Sequence, residues 1–385
     1  MTNILLRGPF LAESGYSTHA RQIARWILNR VSSNDDVFLE ALPWGNTPWI
    51  LDANDKNGLI GKLMQCAKPI NKPLDVSIQV QLPNEFDPKK ARFNIGVTAA
   101  IETDRCHHDW IDACNRMNAI VVPSEHAKSS LTNVGHINVP LYVIPEAFTD
   151  VCFDTPKNYL DFSTDFNFLL FGQITGNNPE NDRKNLFYTI KWICEEFKDD
   201  PNVGIVLKTN AGRNNKIDRN TVQSILKELL SQVRPGQFPK IHLLHGSMTD
   251  EDIVSIYKNP KIKALISLTR GEGFGLPILE AAACDLPVIA PNWSGYIDFM
   301  NKGKFLKVQH QIKQIHPSRV DNRLFVENAK WCEVNEQDFK KVARKFYNAS
   351  SEPKKWAIEL GEKIRQSHSF SSIENTYAQT FKDIL

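Results

Sequence analysis

Short apolar runs alternate with amphipathic stretches along the first 150 residues. Five runs rich in β-branched residues predict strands: NILLRG, DVSIQVQLP, FNIGVTAA, AIVVPS and LYVIPEA. After the first run, STHARQIARWILNRV predicts a helix capped at Ser17 or Thr18, whose apolar face consists of Ile23, Trp26, Ile27 and Val31. DWIDACNRM and SEHAKSSLTNVG predict helices between the last three strands. Such alternation is typical of an α/β fold with a mainly parallel sheet.

The alternation stops in the polar stretch FTDVCFDTPKNYLDFSTDF, residues 148–166, and then resumes. The second series has predicted strands at FNFLLFG, VGIVLKT, IHLLHG, ALISLT and PVIAP, and a predicted helix at NLFYTIKWICEEF. A chain of 385 residues is long enough for two domains with separate cores. We therefore expect one domain at 1–155 and a second at 156–365.

The C-terminal stretch SSIENTYAQTFKDIL predicts a final helix within residues 366–385. Ser371 and Glu374 have the spacing of a capping box. An apolar residue recurs every four positions, at Ile373, Tyr377, Phe381 and Leu385. We expect this stripe to dock on another part of the fold.

Composition and charge favour a globular cytoplasmic enzyme. The chain is 42% hydrophobic and 23% charged, with a formal net charge of +2, which by itself predicts neither a nucleic acid nor an anionic membrane as partner. Its seven cysteines have irregular spacing without a CxxC pair, as expected in a reducing compartment. No apolar run reaches the roughly 18 residues of a membrane span, and Arg7 interrupts the N-terminal run where a signal peptide would continue.

Two glutamates eight positions apart stand out in GEGFGLPILEAAACDLPVIA, residues 271–290. The strand ALISLT is predicted to end at Thr269, and a helix is predicted to begin at Leu276 or Pro277, so the turn lies at the carboxyl end of a strand and beside a helix N-terminus. Open α/β sheets bind ligands at this edge, and a helix N-terminus favours anions. Glu280 could simply complement the helix dipole, but Glu272, in a glycine-flanked loop, has no such role.

A basic loop follows the first strand of the second series. In QITGNNPENDRKN, Arg183 and Lys184 directly precede a predicted helix, where cations oppose the helix dipole unless an anion lies between them and the helix. Lys208, at the end of VGIVLK, is close enough in the predicted topology to reach the same crevice. Two or three cations with free backbone N–H groups suit a diphosphate, although a solvated Arg-Lys pair on a surface turn is the alternative.

These motifs resemble the retaining nucleotide-sugar glycosyltransferases of family 4, of the glycosyl transferases group 1 type. The resemblance rests on RGEGFGLPILEAAACDLPVIA, which has the Glu-seven residues-Glu pattern, on DRKN, and on AIVVPSEHAKSSLTNVGHINVPLYVIPEAF. It covers nearly the whole chain from SGYSTHA onwards. It implies a GT-B fold, in which two Rossmann-like domains face each other across a cleft and the C-terminal helix returns to the first domain.

The resemblance also implies a role for individual residues. Glu280 binds the ribose hydroxyls of the nucleotide, and Arg183, Lys184 and, as a weaker candidate, Lys208 hold the diphosphate. The donor sugar is held by Glu272 and by the backbone of Gly273, Phe274, Gly275 and Leu276. From the first domain, the phosphates are approached by Ser14, Gly15 and Tyr16.

The sequence departs from the family pattern at two positions. Gln173 stands where many members have an arginine, and the region TAAIETDR lacks the first-domain histidine, which leaves Glu102 as the candidate facing the sugar. We expect no metal and no cofactor. The motif DED at 250–252 is predicted to be a helix cap, and a zinc site built from Cys106, Cys114 and the adjacent His107 and His108 is disfavoured because those histidines would diverge on a helix.

The expected reaction is metal-independent transfer of a hexosyl or pentosyl group, with retention, from a nucleoside-diphosphate sugar to an acceptor hydroxyl. A UDP-sugar is the preferred donor. Two alternatives of other kinds are a nucleotide-sugar epimerase and a catalytically silent binding subunit. The acceptor class stays open among glycans, lipids, small molecules and hydroxylated DNA bases. The first half is near −2 overall, which favours no extended DNA-binding groove, although Lys89, Lys90 and Arg92 form a local basic cluster in it.

Overall fold

The structure is a computed structural model that describes residues 2–32, 34–156, 159–173, 178–234 and 236–385. It divides into two compact units. Unit 1 comprises residues 1–147, 322–326 and 370–385, and unit 2 comprises 148–321 and 327–369. Among the described residues, no helix is both long and apolar enough to cross a bilayer.

Unit 1 is built on a six-stranded sheet in which every pairing is parallel. The strands are β1 (Asn3–Gly8), β2 (Asp36–Ala41), β3 (Val76–Val80), β4 (Phe93–Val97), β5 (Ala119–Val122) and β6 (Leu141–Val143). Their order across the sheet is β2-β1-β3-β4-β5-β6. All five strands predicted for this half are present, and β2 is an additional strand that the pattern did not reveal.

In the described part of unit 1, five α-helices accompany the sheet. They are α1 (Gly15–Arg30), α2 (Leu59–Cys66), α3 (Asp109–Asn115), α4 (Glu125–Thr132) and, from the C-terminus, α12 (Phe370–Thr380). The predicted stripe of α12 docks in the core of this unit, where Tyr377 stacks on Trp26 of α1 with ring centroids 4.8 Å apart. Ile373 and Phe381 are buried in the same cluster, which confirms that the final helix packs through its apolar face.

Two helices begin earlier than predicted, α12 by about two residues and α1 by three or four. Helix α1 begins at Gly15, and its cap is Ser14, whose hydroxyl oxygen accepts from the backbone N–H of Ser17 at 3.1 Å. Helix α12 begins at Phe370, so Ser371 lies inside it, and Glu374 accepts instead from the Asn29 side chain. In both places several serines or threonines satisfy the cap pattern, and the sequence alone does not choose among them.

Unit 2 contains a second six-stranded parallel sheet. Its strands are β7 (Phe166–Phe171), β8 (Val203–Thr209), β9 (Lys240–His245), β10 (Ile262–Ile266), β11 (Val288–Pro291) and β12 (Leu306–Val308). The spatial order is β12-β11-β10-β7-β8-β9. Numbered within the unit, this is 3-2-1-4-5-6 from one edge to the other, the order of dinucleotide-binding sheets.

The other helices and strands of unit 2 lie outside this sheet. The helices are α5 (Leu186–Glu196), α6 (Lys216–Val233), α7 (Asp250–Tyr257), α8 (Leu276–Ala283), α9 (Ile297–Met300), α10 (Glu336–Asn348) and α11 (Ser351–Ser367). Strands β13 (His310–Gln314) and β14 (Lys330–Val334) form an antiparallel pair, which the sequence analysis did not predict. The DED segment begins α7 behind a Thr249 cap, as predicted.

Candidate functional site

The candidate site lies where the strand order of the unit 2 sheet reverses. Strands β7 and β10 are neighbours, but the chain proceeds from β7 to β8 on one side and from β10 to β11 on the other. Ligands bind beyond the carboxyl ends of strands at such a switch point. The loop after β7 carries Arg183 and Lys184, and the loop after β10 carries Glu272. Residues 174–177 of the predicted basic loop lie outside the described residues.

Three of the predicted residues form one ion cluster. The Lys184 ammonium nitrogen lies 2.6 Å from Oε1 of Glu272, and the Arg183 guanidinium lies 3.2 Å from Oε2. Arg183 also donates to the backbone carbonyl of Gly271 at 2.7 Å. Glu272 is only 8% exposed, so this triad is largely shielded from water. Glu272 therefore has a structural role that was not predicted from the sequence: it neutralises two cations.

The cluster fixes the charge of Glu272. Burial raises the pKa of this carboxyl, but the attraction of Lys184 and Arg183, with the hydrogen bond from Lys184, outweighs burial and lowers the pKa to about 2. The carboxylate is therefore ionised at neutral pH. The Glu272 carboxylate oxygens can accept hydrogen bonds from substrate hydroxyls, and Arg183 and Lys184 place two positive charges beside them.

The N-terminus of α5 does not need a ligand anion, contrary to our argument from sequence. Asp182 supplies the negative charge: its Oδ2 accepts from the backbone N–H of Leu186 at 2.7 Å, and its Oδ1 accepts from that of Lys184 at 3.1 Å. Asn185 adopts a left-handed conformation with φ 54°. Asp182 thus caps the helix, while Arg183 and Lys184 turn towards Glu272.

The turn from Gly273 to Leu276 leads into α8. Strand β10 ends at Ile266, three residues earlier than predicted, whereas the helix begins at Leu276 as predicted, with Pro277 second. Gly275 precedes the helix with φ 101°, a conformation that favours glycine. The Phe274 ring is buried against Phe299 with centroids 5.3 Å apart, so only its backbone can contact a ligand. Backbone N–H groups at the start of α8 make this end suitable for an anion.

A loop after β11, which the sequence analysis missed, holds the Glu272 turn in place. Ser294 pairs with the backbone N–H of Glu272 through its hydroxyl oxygen at 3.1 Å, and the N–H of Gly295 donates to the carbonyl of Glu272 at 2.9 Å. A Cβ on Gly295 would lie 2.1 Å from the Gly273 carbonyl oxygen. Only glycine fits this contact, and the Ser-Gly pair in PNWSGY was the available sequence signal.

Glu280 lies one turn into α8 and is half-buried. The Tyr257 hydroxyl donates to its Oε2 at 3.3 Å, and burial, reinforced by the Glu280 charge, raises the Tyr257 pKa well above its usual value. Tyr257 in turn stacks on Phe171, the last residue of β7, with centroids 6.1 Å apart. Glu280 is therefore held at the same switch point as the ion cluster.

Lys208 is buried near the end of β8. Its ammonium donates to the Asn210 side chain and to the Gly246 carbonyl, each at 2.6 Å, and lies 6.0 Å from the Phe171 ring. These contacts make Lys208 a support of the strand ends. A role in holding the diphosphate stays a prediction.

Arg270, which the sequence analysis passed over, supports both loops of the site. Its side chain is 0% exposed, and its Nη1 donates to the carbonyls of Pro179 and Asp182 at 2.7 and 2.9 Å. Its Nε lies 2.7 Å from Oε1 of Glu333 on β14. Its backbone N–H donates to the Arg183 carbonyl at 2.8 Å. Arg270 therefore ties the basic loop to the strand that leads to Glu272.

The candidates from the first half lie in unit 1, at the carboxyl ends of its strands. Ser14 caps α1, and Gly15 is exposed with no atom within 4 Å of where its Cβ would be. The Tyr16 hydroxyl is hydrogen-bonded to Thr98 Oγ1 at 3.1 Å and accepts from the Ala99 N–H at 3.0 Å. Gly15 and Tyr16 belong to the first turn of a helix rather than to a loop. The backbone N–H groups of a first helical turn have no acceptor within the helix, so they are suited to bind an anion.

Glu102 lies in the segment after β4 and is half-buried. His126, in the first turn of α4, hydrogen-bonds with the backbone of Glu102 and Ile101. Burial outweighs these bonds and lowers the pKa of His126 to about 4, so its ring is neutral at pH 7. The sequence analysis did not single out His126, which supports the turn that carries Glu102.

The basic cluster of unit 1 is partly neutralised. The Lys90 ammonium lies 2.8 Å from Glu40, and Arg92 lies 3.8 Å from Asp75. These ion pairs leave little net positive charge for a phosphate backbone.

Among the described residues, one group of side chains has the spacing of metal ligands: His107, His108 and Asp109. Both histidines precede α3, and their rings stack with centroids 4.3 Å apart, so the expectation that they diverge on a helix is wrong. Cys106 and Cys114 are buried, and burial raises the pKa of each thiol to about 12. This group belongs to unit 1, whereas the Glu272 cluster belongs to unit 2.

The stretch that contains Glu272 and Glu280 matches a family of glycosyltransferases. The family model described as Glycosyl transferases group 1 matches residues 236–318, which contain both Glu272 and Glu280. No curated protein sequence matches the chain at a significant level.

Several solved structures share the fold over the whole chain. Sucrose-phosphate synthase from Thermosynechococcus elongatus is similar with a TM-score of 0.64 at 12% identity, covering 100% of this chain and 99% of its own. The Anabaena protein HepE in complex with UDP-glucose has a TM-score of 0.61 at 13% identity, covering 100% of both chains. The α,α-trehalose 6-phosphate synthase from Burkholderia multivorans has a TM-score of 0.60 at 9% identity, covering 100% and 98%. The chain has the GT-B fold.

Proposed function

We propose that this protein is a retaining glycosyltransferase of the family 4 type, which moves a hexosyl or pentosyl group from a nucleoside-diphosphate sugar to an acceptor hydroxyl. The observation that carries the proposal is the ion cluster of Glu272 with Arg183 and Lys184 at the switch point of a sheet ordered 3-2-1-4-5-6. The match of residues 236–318 to Glycosyl transferases group 1 supports it. The similarity in fold to sucrose-phosphate synthase and to HepE in complex with UDP-glucose supports the choice of donor class.

Each group has a distinct task in the proposed reaction. Glu280 accepts hydrogen bonds from the ribose hydroxyls, and Glu272 accepts from hydroxyls of the donor sugar. Arg183 and Lys184 lie against the diphosphate, together with the backbone N–H groups at the start of α8. Charge-assisted hydrogen bonds of this type are worth about 1.5–3 kcal/mol each.

The chemical step breaks the bond between the anomeric carbon and a diphosphate oxygen. The electron pair leaves on the diphosphate, the acceptor oxygen forms the new bond to the anomeric carbon, and one proton is released. Preorganised cations stabilise the charge that develops on the leaving group without having to reorganise during the reaction. Because Arg183 and Lys184 supply positive charge at the leaving group, we propose a reaction that uses no metal ion.

Nucleotide release tests the proposal. The full chain is incubated with UDP-, GDP- and ADP-sugars, with and without a mixture of acceptors, and the free nucleoside diphosphate is measured. We expect release from one nucleotide class, faster with acceptor, and a glycosidic product whose anomeric configuration by NMR matches that of the donor. Binding of nucleotide without release would indicate a silent subunit, and conversion of the donor sugar without acceptor would indicate an epimerase. Either result would overturn the proposal.

A further inference from the structure

The loop that follows β2 in unit 1 exposes apolar side chains that the fold does not require. Residues 42–51, LPWGNTPWIL, contain two tryptophans and no charged side chain; we call them the aromatic loop. Trp49 is 42% exposed and Leu51 68%, whereas Trp26 and Trp110 of the same unit are buried. Neighbouring exposed apolar side chains that form a patch mark binding surfaces, whereas isolated ones do not.

The aromatic loop is held firmly by its backbone. The N–H of Leu42 donates to the Gly8 carbonyl at 2.8 Å, and that of Ile50 donates to the Leu11 carbonyl at 2.7 Å. Trp49 forms an antiparallel bridge with Ala12. Because these bonds tie the loop to the segment after β1, the exposed rings are presented by a fixed scaffold.

The ring of Tyr16, in helix α1, packs against the aromatic loop. Trp44 stacks on Tyr16, with ring centroids 4.1 Å apart and an interplanar angle of 24°. The Tyr16 hydroxyl is engaged by Thr98 and Ala99, so its ring cannot rotate freely. The result is a preordered aromatic surface at the carboxyl edge of the unit 1 sheet, the edge at which α/β sheets bind ligands.

We propose that the aromatic loop, with Trp44 and Trp49 as its main contacts, binds a sugar ring of an uncharged glycan acceptor. This inference rests on the proposed glycosyltransferase activity, whose donor site accounts for only one of two substrates. The C–H face of a pyranose ring is apolar and flat enough to pack on an indole, while its hydroxyls require neutral hydrogen-bonding groups. Asn46, exposed within the loop, is such a group.

The charge of unit 1 argues against a nucleic acid or an anionic lipid as the occupant. Unit 1 carries 16 Lys and Arg against 17 Asp and Glu, and the aromatic loop lies between Glu40 and Asp52 without a cation. A nucleic acid or an anionic lipid surface needs cations near its phosphates, in addition to aromatic rings. An uncharged saccharide needs none.

Protection of Trp49 from a quencher tests the proposal. Acrylamide quenching of tryptophan fluorescence is measured for the full chain with malto-, cello- and chito-oligosaccharides, with duplex DNA containing 5-hydroxymethylcytosine, and with phosphatidylglycerol vesicles. The variants are Trp49→Ala, Trp49→Phe and, as a matched control in unit 2, Trp356→Ala. We expect one oligosaccharide series to protect the wild type and Trp356→Ala, to bind Trp49→Ala at least tenfold more weakly, and to bind Trp49→Phe with intermediate affinity.

Three results would overturn the inference: equal saccharide binding by Trp49→Ala, protection by DNA or vesicles alone, or no protection by any of the three oligosaccharide series. The thermal shift caused by UDP is measured in parallel on every variant. We expect it to be unchanged by Trp49→Ala. A protein that binds saccharides but shows no nucleotide-dependent shift would refute the proposed transferase and leave the aromatic site standing, so the two failures are distinguishable.

Discussion

The Lys184 ammonium lies 2.6 Å from the Glu272 carboxylate, although the two residues are 88 positions apart in the chain. The basic loop is therefore one half of an ion cluster whose other half is the first glutamate of the GEGFG turn. A diphosphate that binds here meets cations already oriented by a buried carboxylate. Such preorganisation is what electrostatic catalysis requires.

Removing the Glu272 charge should destabilise the protein without ligand. In Glu272→Gln, Arg183 and Lys184 lose their counter-charge in a shielded site, which costs about 3 kcal/mol. A bound diphosphate replaces the lost anion, so we expect UDP to raise the melting temperature of the variant more than that of the wild type. Glu195→Gln, which breaks surface pairs with Lys191 and Lys340, is the control and should cost under about 1 kcal/mol. A UDP-induced shift no larger in Glu272→Gln than in the wild type would contradict this account.

Glu280 should determine recognition of the ribose. Glu280→Gln keeps an acceptor for the Tyr257 hydroxyl but loses the charge, so folding should change little while UDP affinity falls about tenfold. Titration calorimetry with UDP and with 2′,3′-dideoxy-UDP measures the effect. The wild type should prefer UDP, and the variant should not distinguish the two; Glu251→Gln, in the first turn of α7, is the control. If Glu280→Gln retained the full preference, the ribose role would be refuted.

Gly295 should tolerate no side chain. The added Cβ of Gly295→Ala meets the Gly273 carbonyl 2.1 Å away, so the backbone that presents Glu272 must shift. We expect a loss of stability of about 2 kcal/mol and a loss of turnover. Gly15→Ala is the matched control for stability because nothing lies within 4 Å of its Cβ, and it should be neutral or slightly stabilising. Equal melting temperatures for the two alanine variants would argue against the close contact.

Acid should destabilise the protein in the range of pH 6.5 to 4. Burial lowers the pKa of His19 and of His368 to about 4, below the unfolded value of about 6.5, and Lys302 adds to the effect at His368. The unfolded state therefore binds protons first, so the stabilisation is complete above pH 6.5 and is lost as pH falls towards 4, by up to about 3 kcal/mol per histidine. Urea unfolding across this range should show a shallower pH dependence for His368→Gln than for the wild type. The exposed His136→Gln serves as control, and parallel curves for all three proteins would refute the assignment.

Sequence patterns predicted the elements that carry the site but not their supports. Alternating apolar runs located β7 and β10, and the Gly-Leu-Pro sequence located the start of α8. The pattern could not reveal that Arg270 reaches Glu333, because that contact joins residues 63 positions apart through an antiparallel strand pair with a weak sequence signal. Long-range polar contacts of this kind leave no periodicity in the sequence.

The local electrostatics were also interpreted from too few residues. Arg183 and Lys184 were predicted to require a ligand anion on the basis of their own charges, yet Asp182 directly before them caps α5. The glycine-flanked position of Glu272 indicated no role with the helix dipole and gave no sign of its ion pairs, because its partners come from a different loop. In the first case the missing information was which side chain caps the helix, and in the second it was which cations the fold brings to the carboxylate.

The central claim is that Lys184 stabilises the departing diphosphate, and the kinetics of Lys184→Ala test it most directly. Steady-state rates are measured with the donor identified by nucleotide release, using Lys191→Ala on the adjacent helix α5 as the matched control. We expect kcat to fall roughly 10²-fold to 10³-fold for Lys184→Ala while the donor KM changes less than about threefold, and Lys191→Ala to resemble the wild type. An intact kcat with a raised KM would show that Lys184 only binds the donor, and would contradict the account.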